Sequence, residues 1–409
     1  MYNWMPRAYK WRKQISGLKC LVVLCGLAVF LLAQPVMGCS MYKLTKDGKT
    51  IVGNNEDWTS PNGQFWFEKG DEDRYGVMYM GFLDDFAQGA INEAGLVFDG
   101  FWEPYLEVKD VEGKLEIPIG DALKWVMQTM ESVEEVQSYL QTINLTILEN
   151  GQLVFVDKSG SYLVIEGDEM FMGDEAEKTF SNFYYSQIES LDEVGLPYFQ
   201  NGQSFINKTT SESTLDYCSE AMAQFSQSNL VPTQYTTVYD LSTLTVRVYL
   251  FHDYTNSVEF NLSEELQKGD HRTMIAELFP ATSFGYQHYA KYNDTEHPTQ
   301  LIEAFLEDKE VTEQILLESG FDYIITKLGQ EWLNQIKNPE AAIKVFQYGL
   351  ELMPSSVGLH NSLGEAYFMN EDWDQARITY TKSLVLDPEN QDAVEMLEKI
   401  DRLREADDN

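Results

Sequence analysis

The sequence predicts an α+β domain followed by an all-α repeat module. Three observations carry this expectation. Between residues 39 and 265, short apolar runs alternate with Gly- and Asx-containing turns, the pattern of strands joined by hairpins. Amphipathic stretches, such as the one opening at Ser132, place helices between those runs. After Gln300 the composition turns helical, and small and aromatic residues recur with a 34-residue period.

The chain has 409 residues, 44% apolar and 13% aromatic, enough to bury a core. Its net charge is −37. Residues 1–38 hold five Lys/Arg and no Asp/Glu, so the remainder is more acidic still. Such a surface repels phosphate backbones and makes nucleic acid a poor partner. Four cysteines stand at Cys20, Cys25, Cys39 and Cys218, which is no disulfide framework. Cys218 reads as a buried, small apolar residue.

Residues 1–38 read as a signal peptide. Arg7, Lys10, Arg12, Lys13 and Lys19 form a basic stretch. An apolar run from Cys20 to Ala33 follows, short for a membrane span, and Pro35 breaks it. Val36 and Gly38 then occupy the −3 and −1 positions before Cys39. Cleavage there makes the protein secreted or periplasmic. The same Val36-Met37-Gly38-Cys39 run also fits a loose lipoprotein box, with Met37 departing from it. On that alternative Cys39 is lipidated and the protein is anchored at the cell envelope, the only case in which a membrane is a partner.

If residues 1–38 are removed, Cys39 carries a thiol and a free α-amine on one residue. The thiolate is the attacking form. An α-amine titrates near ~8 and can take the thiol proton. From Cys39 the chain reads as a strand, a turn at Lys46-Asp47-Gly48-Lys49, and a second strand through Val52 and Gly53. That hairpin brings Asn54, Asn55, Asp57 and Trp58 back beside Cys39, with the Asp57 carboxylate placed to orient the amine.

Cys39, the Gly48 turn and Gly53-Asn54-Asn55-Glu56-Asp57 resemble the opening of the choloylglycine hydrolase and penicillin acylase/acyltransferase families, N-terminal-nucleophile (Ntn) hydrolases of linear amides. Asn55 and Asp57 match the family pattern, and Asn54 stands where bile-salt hydrolases have Arg. Asn92-Glu93-Ala94-Gly95-Leu96 matches a further family turn, with Gly95 at a position that needs positive φ. Trp102 falls where an oxyanion-hole Asn is expected. Ser132-Val133-Glu134-Glu135 opens a capped helix. Leu153–Val156 and Tyr162–Glu166 read as a hairpin. The resemblance assigns Asn182, in Thr179-Phe180-Ser181-Asn182, as oxyanion donor; without it Asn182 reads as a turn residue. The family's later Arg has no counterpart near Ser211–Cys218. The Thr233-Gln234-Tyr235-Thr236 run also recurs in the family, so the likeness spans about 39–265.

The resemblance implies an αββα sandwich over 39–268. It implies Cys39, Asp57 and Asn182 as catalytic residues, and Asn54, Asn55, Trp58 and Trp102 as substrate-binding ones, with no cofactor and no metal. The substrate is a small-molecule amide with an apolar acyl part, other than a conjugated bile salt since two arginines are missing. Trp58, Phe65, Trp66, Phe67, Phe82, Phe86, Phe101 and Trp102 are candidates to line an acyl pocket.

Residues 269–300 read as a linker or peripheral helices, with His271, His288 and His297 as solvated surface residues. In the helical module 301–405, Ala342, Phe346 and Pro354 recur as Ala376, Tyr380 and Pro388. With Leu363-Gly364, Tyr367 and the weaker Leu328-Gly329, these form the tetratricopeptide pattern over about 322–388, followed by a capping helix. Two repeats fall short of the usual three, so the unit needs support from helices 301–333 or from the first domain. Such stacks offer a surface to a protein or peptide partner. Two rival readings remain: an envelope-anchored binding protein with an inactive first domain, and a Cys-His hydrolase built on Cys218 and His252.

Overall fold

A computed structural model describes residues 38–229, 231–307 and 309–407. The leader read as a signal peptide lies outside the described residues, Gly38 excepted.

The described chain opens on a hairpin of β1 (Ser40–Lys46) and β2 (Lys49–Asp57). Asp47 and Gly48 form its two-residue turn with φ of 54° and 75°. Two positive φ angles are what a turn matching the right-handed strand twist requires. Four strands follow: β3 (Gln64–Glu68), β4 (Val77–Gly81), β5 (Ala87–Asn92) and β6 (Val97–Trp102). Helices α1 (Ile119–Thr129) and α2 (Val133–Leu140) come next. The chain then forms β7 (Gly151–Val156), β8 (Tyr162–Glu166), β9 (Glu169–Gly173) and β10 (Glu177–Ser181). Helices α3 (Pro197–Lys208) and α4 (Leu215–Phe225) lead into β11 (Thr233–Asp240), β12 (Thr245–Leu250) and β13 (Asp253–Asn261). A short α5 (Leu262–Leu266), the strand β14 (His271–Met274) and α6 (Phe284–Tyr292) close this part.

The strands make two antiparallel sheets. One runs β10-β1-β2-β11-β12-β13, the other β14-β3-β4-β5-β6-β7-β8-β9. Alternation along each strand sorts the apolar residues into three layers. Met41, Val52 and Val246 of the first sheet meet Phe65, Met78 and Val154 of the second between the sheets. Tyr42, Ile51 and Val238 face outward onto α3 and α4. Val77, Phe98 and Phe155 face outward onto α1 and α2. The result is the expected four-layer αββα arrangement.

Local chemistry explains the joints. Asn92 accepts from the Ala94 and Leu96 amides, while Gly95 takes φ +88°. Asn92 also donates to the Met127 and Met130 carbonyls and ties this turn to α1. Ser132 and Glu135 form a reciprocal capping box at the start of α2. Residues 269–300 are more than a linker. β14 pairs with β3 and forms an edge of the eight-stranded sheet, so the first domain runs past residue 268. His288 is not a solvated residue. It stacks on Phe251 with ring centroids 3.5 Å apart, and burial holds its pKa down at about 3.

The C-terminal part is helical: α7 (Gln300–Leu306), α8 (Glu313–Glu318), α9 (Phe321–Gln330) with a π turn over Glu331–Gln335, α10 (Pro339–Leu352), α11 (Val357–Met369), α12 (Trp373–Leu386) and α13 (Gln391–Asp407). The repeat is visible in three dimensions. A Cβ on Gly329 would lie 2.2 Å from the Phe346 ring, and one on Gly364 would lie 2.8 Å from Tyr380. Glycine thus lets each first helix approach the aromatic of the second. Lys337 and Glu371 hold φ of 62° and 61° at equivalent inter-helix turns. Ala393 and Ile400 of α13 cover Ala376 and Tyr380.

Glu331 joins this module to the first domain. Its carboxylate accepts from Ser60 Oγ and Asn62 Nδ2, both at 2.6 Å, in the loop between β2 and β3. Asn293 donates to Asn62 Oδ1 at 2.9 Å, and Tyr292 stacks on Trp332. Glu331→Ala would leave two buried donors without an acceptor, each worth about 1–3 kcal/mol. We expect the variant to unfold at lower urea concentration than the parent by that order; an unchanged midpoint would remove Glu331 from the junction.

Candidate functional site

The site is built by register. Ser40 pairs with Ser181 of β10 on one side and with Asn55 of β2 on the other. Cys39, one residue earlier, therefore lies between Asn182 and Glu56. Its sulfur donates to Glu56 Oε2 at 3.3 Å. Its carbonyl accepts from Ser181 Oγ at 2.7 Å, and Ser181 is hydrogen-bonded to the Tyr198 hydroxyl at 2.9 Å. Gly38 sits under that tyrosine: a Cβ there would lie 2.1 Å from the hydroxyl.

Asp57 is buried at the end of β2. Thr233 Oγ1 and Gln227 Nε2 both donate to its carboxylate at 2.5 Å. The same Gln227 nitrogen donates to the Gly38 carbonyl at 3.0 Å. Asp57 is thus linked through one side chain to the peptide preceding Cys39. Its backbone N–H points at the Cys39 sulfur and favours the thiolate.

The remaining sequence-assigned residues separate into two groups. Asn54 faces the inter-sheet side with Glu56 and donates to Glu56 Oε1 at 3.0 Å. Trp58 packs its ring near Phe82, with centroids 5.9 Å apart. Asn182 donates to the Trp102 carbonyl at 2.6 Å, and its Oδ1 has no hydrogen-bond partner. Asn55 turns the other way, because neighbouring residues on a strand face opposite sides. It donates to the Met222 carbonyl at 2.9 Å and accepts from Thr236 and Tyr254, so it anchors α4 instead of lining the site. Of the aromatics considered for an acyl pocket, Phe65, Phe67, Phe82 and Phe101 lie between the sheets. Trp66 stacks on Tyr79 in the outer layer. Phe86 and Trp102 are exposed. Cys218 is buried among the α3 and α4 contacts, whereas His252 lies against Phe251 and Phe284.

Sequence reasoning missed the acidic neighbours. Glu56 and Asp99, the latter on β6, are within hydrogen-bonding reach of one another. Burial pushes Glu56 up to about 7, opposed by hydrogen bonds from Asn54 and Cys39. Burial and then the Glu56 charge raise Asp99. The Cys39 thiol is raised first by burial and then by Glu56, Asp57 and Asp99. A countable signal for Glu56 was present. Counting back from the Lys46–Lys49 pair at the hairpin turn puts Cys39 opposite Glu56.

Residues 39–173 match the sequence model of the linear amide C-N hydrolases, choloylglycine hydrolase family. Residues 357–390 match the tetratricopeptide repeat. Among solved structures, a variant of conjugated bile acid hydrolase from Clostridium perfringens is 19% identical, covering 58% of this chain and 96% of its own, with a TM-score of 0.46. Penicillin V acylase from Agrobacterium tumefaciens is 14% identical, covering 55% and 86%, with a TM-score of 0.42. The first tetratricopeptide domain of human RPAP3 is 17% identical, covering 30% and 89%, with a TM-score of 0.22. No curated protein matches the chain.

The matched segment carries one further acid. Glu103 is fully buried, and neither carboxyl oxygen has a partner. Burial, then the Glu166 charge, pushes it up to about 9. A carboxyl raised on folding contributes stability that is complete below its unfolded value of about 4.5 and is lost as pH rises through about 9. Each pH unit in that window removes up to about 1.4 kcal/mol. Glu103→Gln should flatten this dependence, so thermal melts at pH 5 and pH 9 should differ less for the variant than for the parent.

Proposed function

We propose that the protein is an exported cysteine Ntn-hydrolase that cleaves a linear, non-peptide amide C–N bond by acyl transfer through a thioester on Cys39. The single observation that carries this reading is the position of Cys39, at the head of β1 between Asn182 and the Glu56-Asp57 end of β2, within a segment matching the linear amide hydrolases. Removal of residues 1–38 frees the α-amine. Gln227, relieved of the Gly38 carbonyl, and Asp57 then lie beside that amine and hold its orientation. The amine takes the thiol proton, directly or through water, and the sulfur attacks the amide carbonyl. Asn182 and backbone N–H groups stabilise the oxyanion, with Asn182 turning from the Trp102 carbonyl toward the substrate. The protonated amine gives its proton to the leaving nitrogen, and water resolves the thioester. The same site can pass the acyl group to another amine. Trp58 and Asn54 contact the substrate, and no cofactor enters. The repeats fit a protein or peptide partner.

Three measurements test the reading. An extra residue placed before Cys39 converts the base into an amide, and turnover of suitable amides should disappear; full turnover would end the mechanism. Asn182→Ala should lower kcat by about two to three decades with KM little changed, whereas an unaltered kcat would take Asn182 out of the oxyanion site. Intact mass of protein exported by its native host should give a chain starting at unmodified Cys39; a diacylglycerol adduct there would favour the envelope-anchored binding protein.

A further inference from the structure

Two acids stand beside the proposed nucleophile with no basic partner. Among the described residues, no ion pair includes Glu56, Asp57 or Asp99. Buried carboxyls are normally paired, bound to a cation, or kept neutral. Asp99 lies close enough to Glu56 for the Glu56 charge to favour its neutral form. Their surroundings supply more unused polarity. Asn54 Oδ1, Asp99 Oδ2 and the Tyr235 hydroxyl are all buried and without a hydrogen-bond partner. Tyr235 lies close enough to feel the charges of Glu56, Asp99 and Cys39. Aromatic faces adjoin the pair. Trp58 and Phe82 are 5.9 Å apart between centroids, and so are Phe82 and Tyr235.

We infer that Glu56 and Asp99, with Asn54, Trp58, Phe82 and Tyr235, form a subsite for an ammonium group carried by the substrate next to its scissile amide. The inference rests on Cys39 being the nucleophile and adds the class of substrate. Acid oxygens and ring faces are the two kinds of group that hold an organic cation away from water. Among the described residues no trio of His, Cys, Asp or Glu is arranged to hold a metal ion. Binding has a second effect. An ammonium against the carboxyl pair offsets the negative charge that keeps the neighbouring thiol protonated. The cation therefore assists the thiolate that attacks the substrate bearing it.

The test uses the purified protein beginning at Cys39 and three alkylating probes: 2-bromoethylammonium, iodoacetamide and iodoacetate. Labelling is read on the Cys39 peptide by mass, and each rate is divided by that of the same probe with free N-acetylcysteine. The normalised rate should be highest for the cation, exceed the neutral probe by about tenfold, and be lowest for the anion. In Asp99→Asn and Glu56→Gln the cation-to-neutral ratio should collapse to about twofold or less. Equal normalised rates in the parent protein would overturn the subsite and leave the nucleophile standing. Failure of all three probes to label Cys39 would overturn the nucleophile and the subsite with it. The parent comparison alone decides, so a variant that fails to fold does not rescue the idea.

Discussion

The hydrogen-bonded ladder between β1 and β2 is the constraint on which the site depends. Its turn has only two residues, so the pairing has a single register. A slip of one residue would turn either Cys39 toward α4 or Asn54 with Glu56 out of the inter-sheet layer. β10 and β11 flank this hairpin and add Asn182 from one side and Thr233 from the other. Three chain segments far apart in sequence thus meet at the head of one strand. The helices and the second sheet bury the hairpin on both faces and thereby fix that meeting point.

Much of this was legible in the residues. Asp47-Gly48, Gly95 and the Ser132–Glu135 box gave turn and cap geometries that backbone chemistry dictates locally. The repeats were legible for the same reason: Gly329 and Gly364 are each paired with an aromatic at a fixed offset. What escaped were features requiring a partner distant in sequence. β14 is four residues long and polar, and it is a strand only because β3 offers it an edge. Asn55 looked like Asn54 in a motif, yet strand alternation sends the two to opposite faces. His288 sits in a polar sequence, and nothing nearby announces the ring of Phe251. Asp99 was invisible as a site residue, since only the sheet-to-sheet contact brings it to Glu56.

The electrostatics of the site run against the simplest expectation for a cysteine nucleophile. Reactive thiols usually sit in positive surroundings. Here burial and three acids keep the sulfur protonated, and a single backbone N–H opposes them. Burying uncompensated acids destabilises a fold, so a protein that holds them beside a thiol trades stability for selectivity. On the ammonium subsite inferred above, Asn54 leaves the acid pair open. A permanent guanidinium would neutralise the pair and leave nothing for an incoming cation to do.

Gly38 illustrates how two demands converge on one atom's worth of space. The Tyr198 hydroxyl occupies the volume that any side chain at position 38 would need, and Ser181 holds that hydroxyl in place. The folded domain therefore packs closely against the residue ahead of Cys39. With alanine or serine at position 38 and the preceding residues still attached, the Tyr198 hydroxyl would have to move aside.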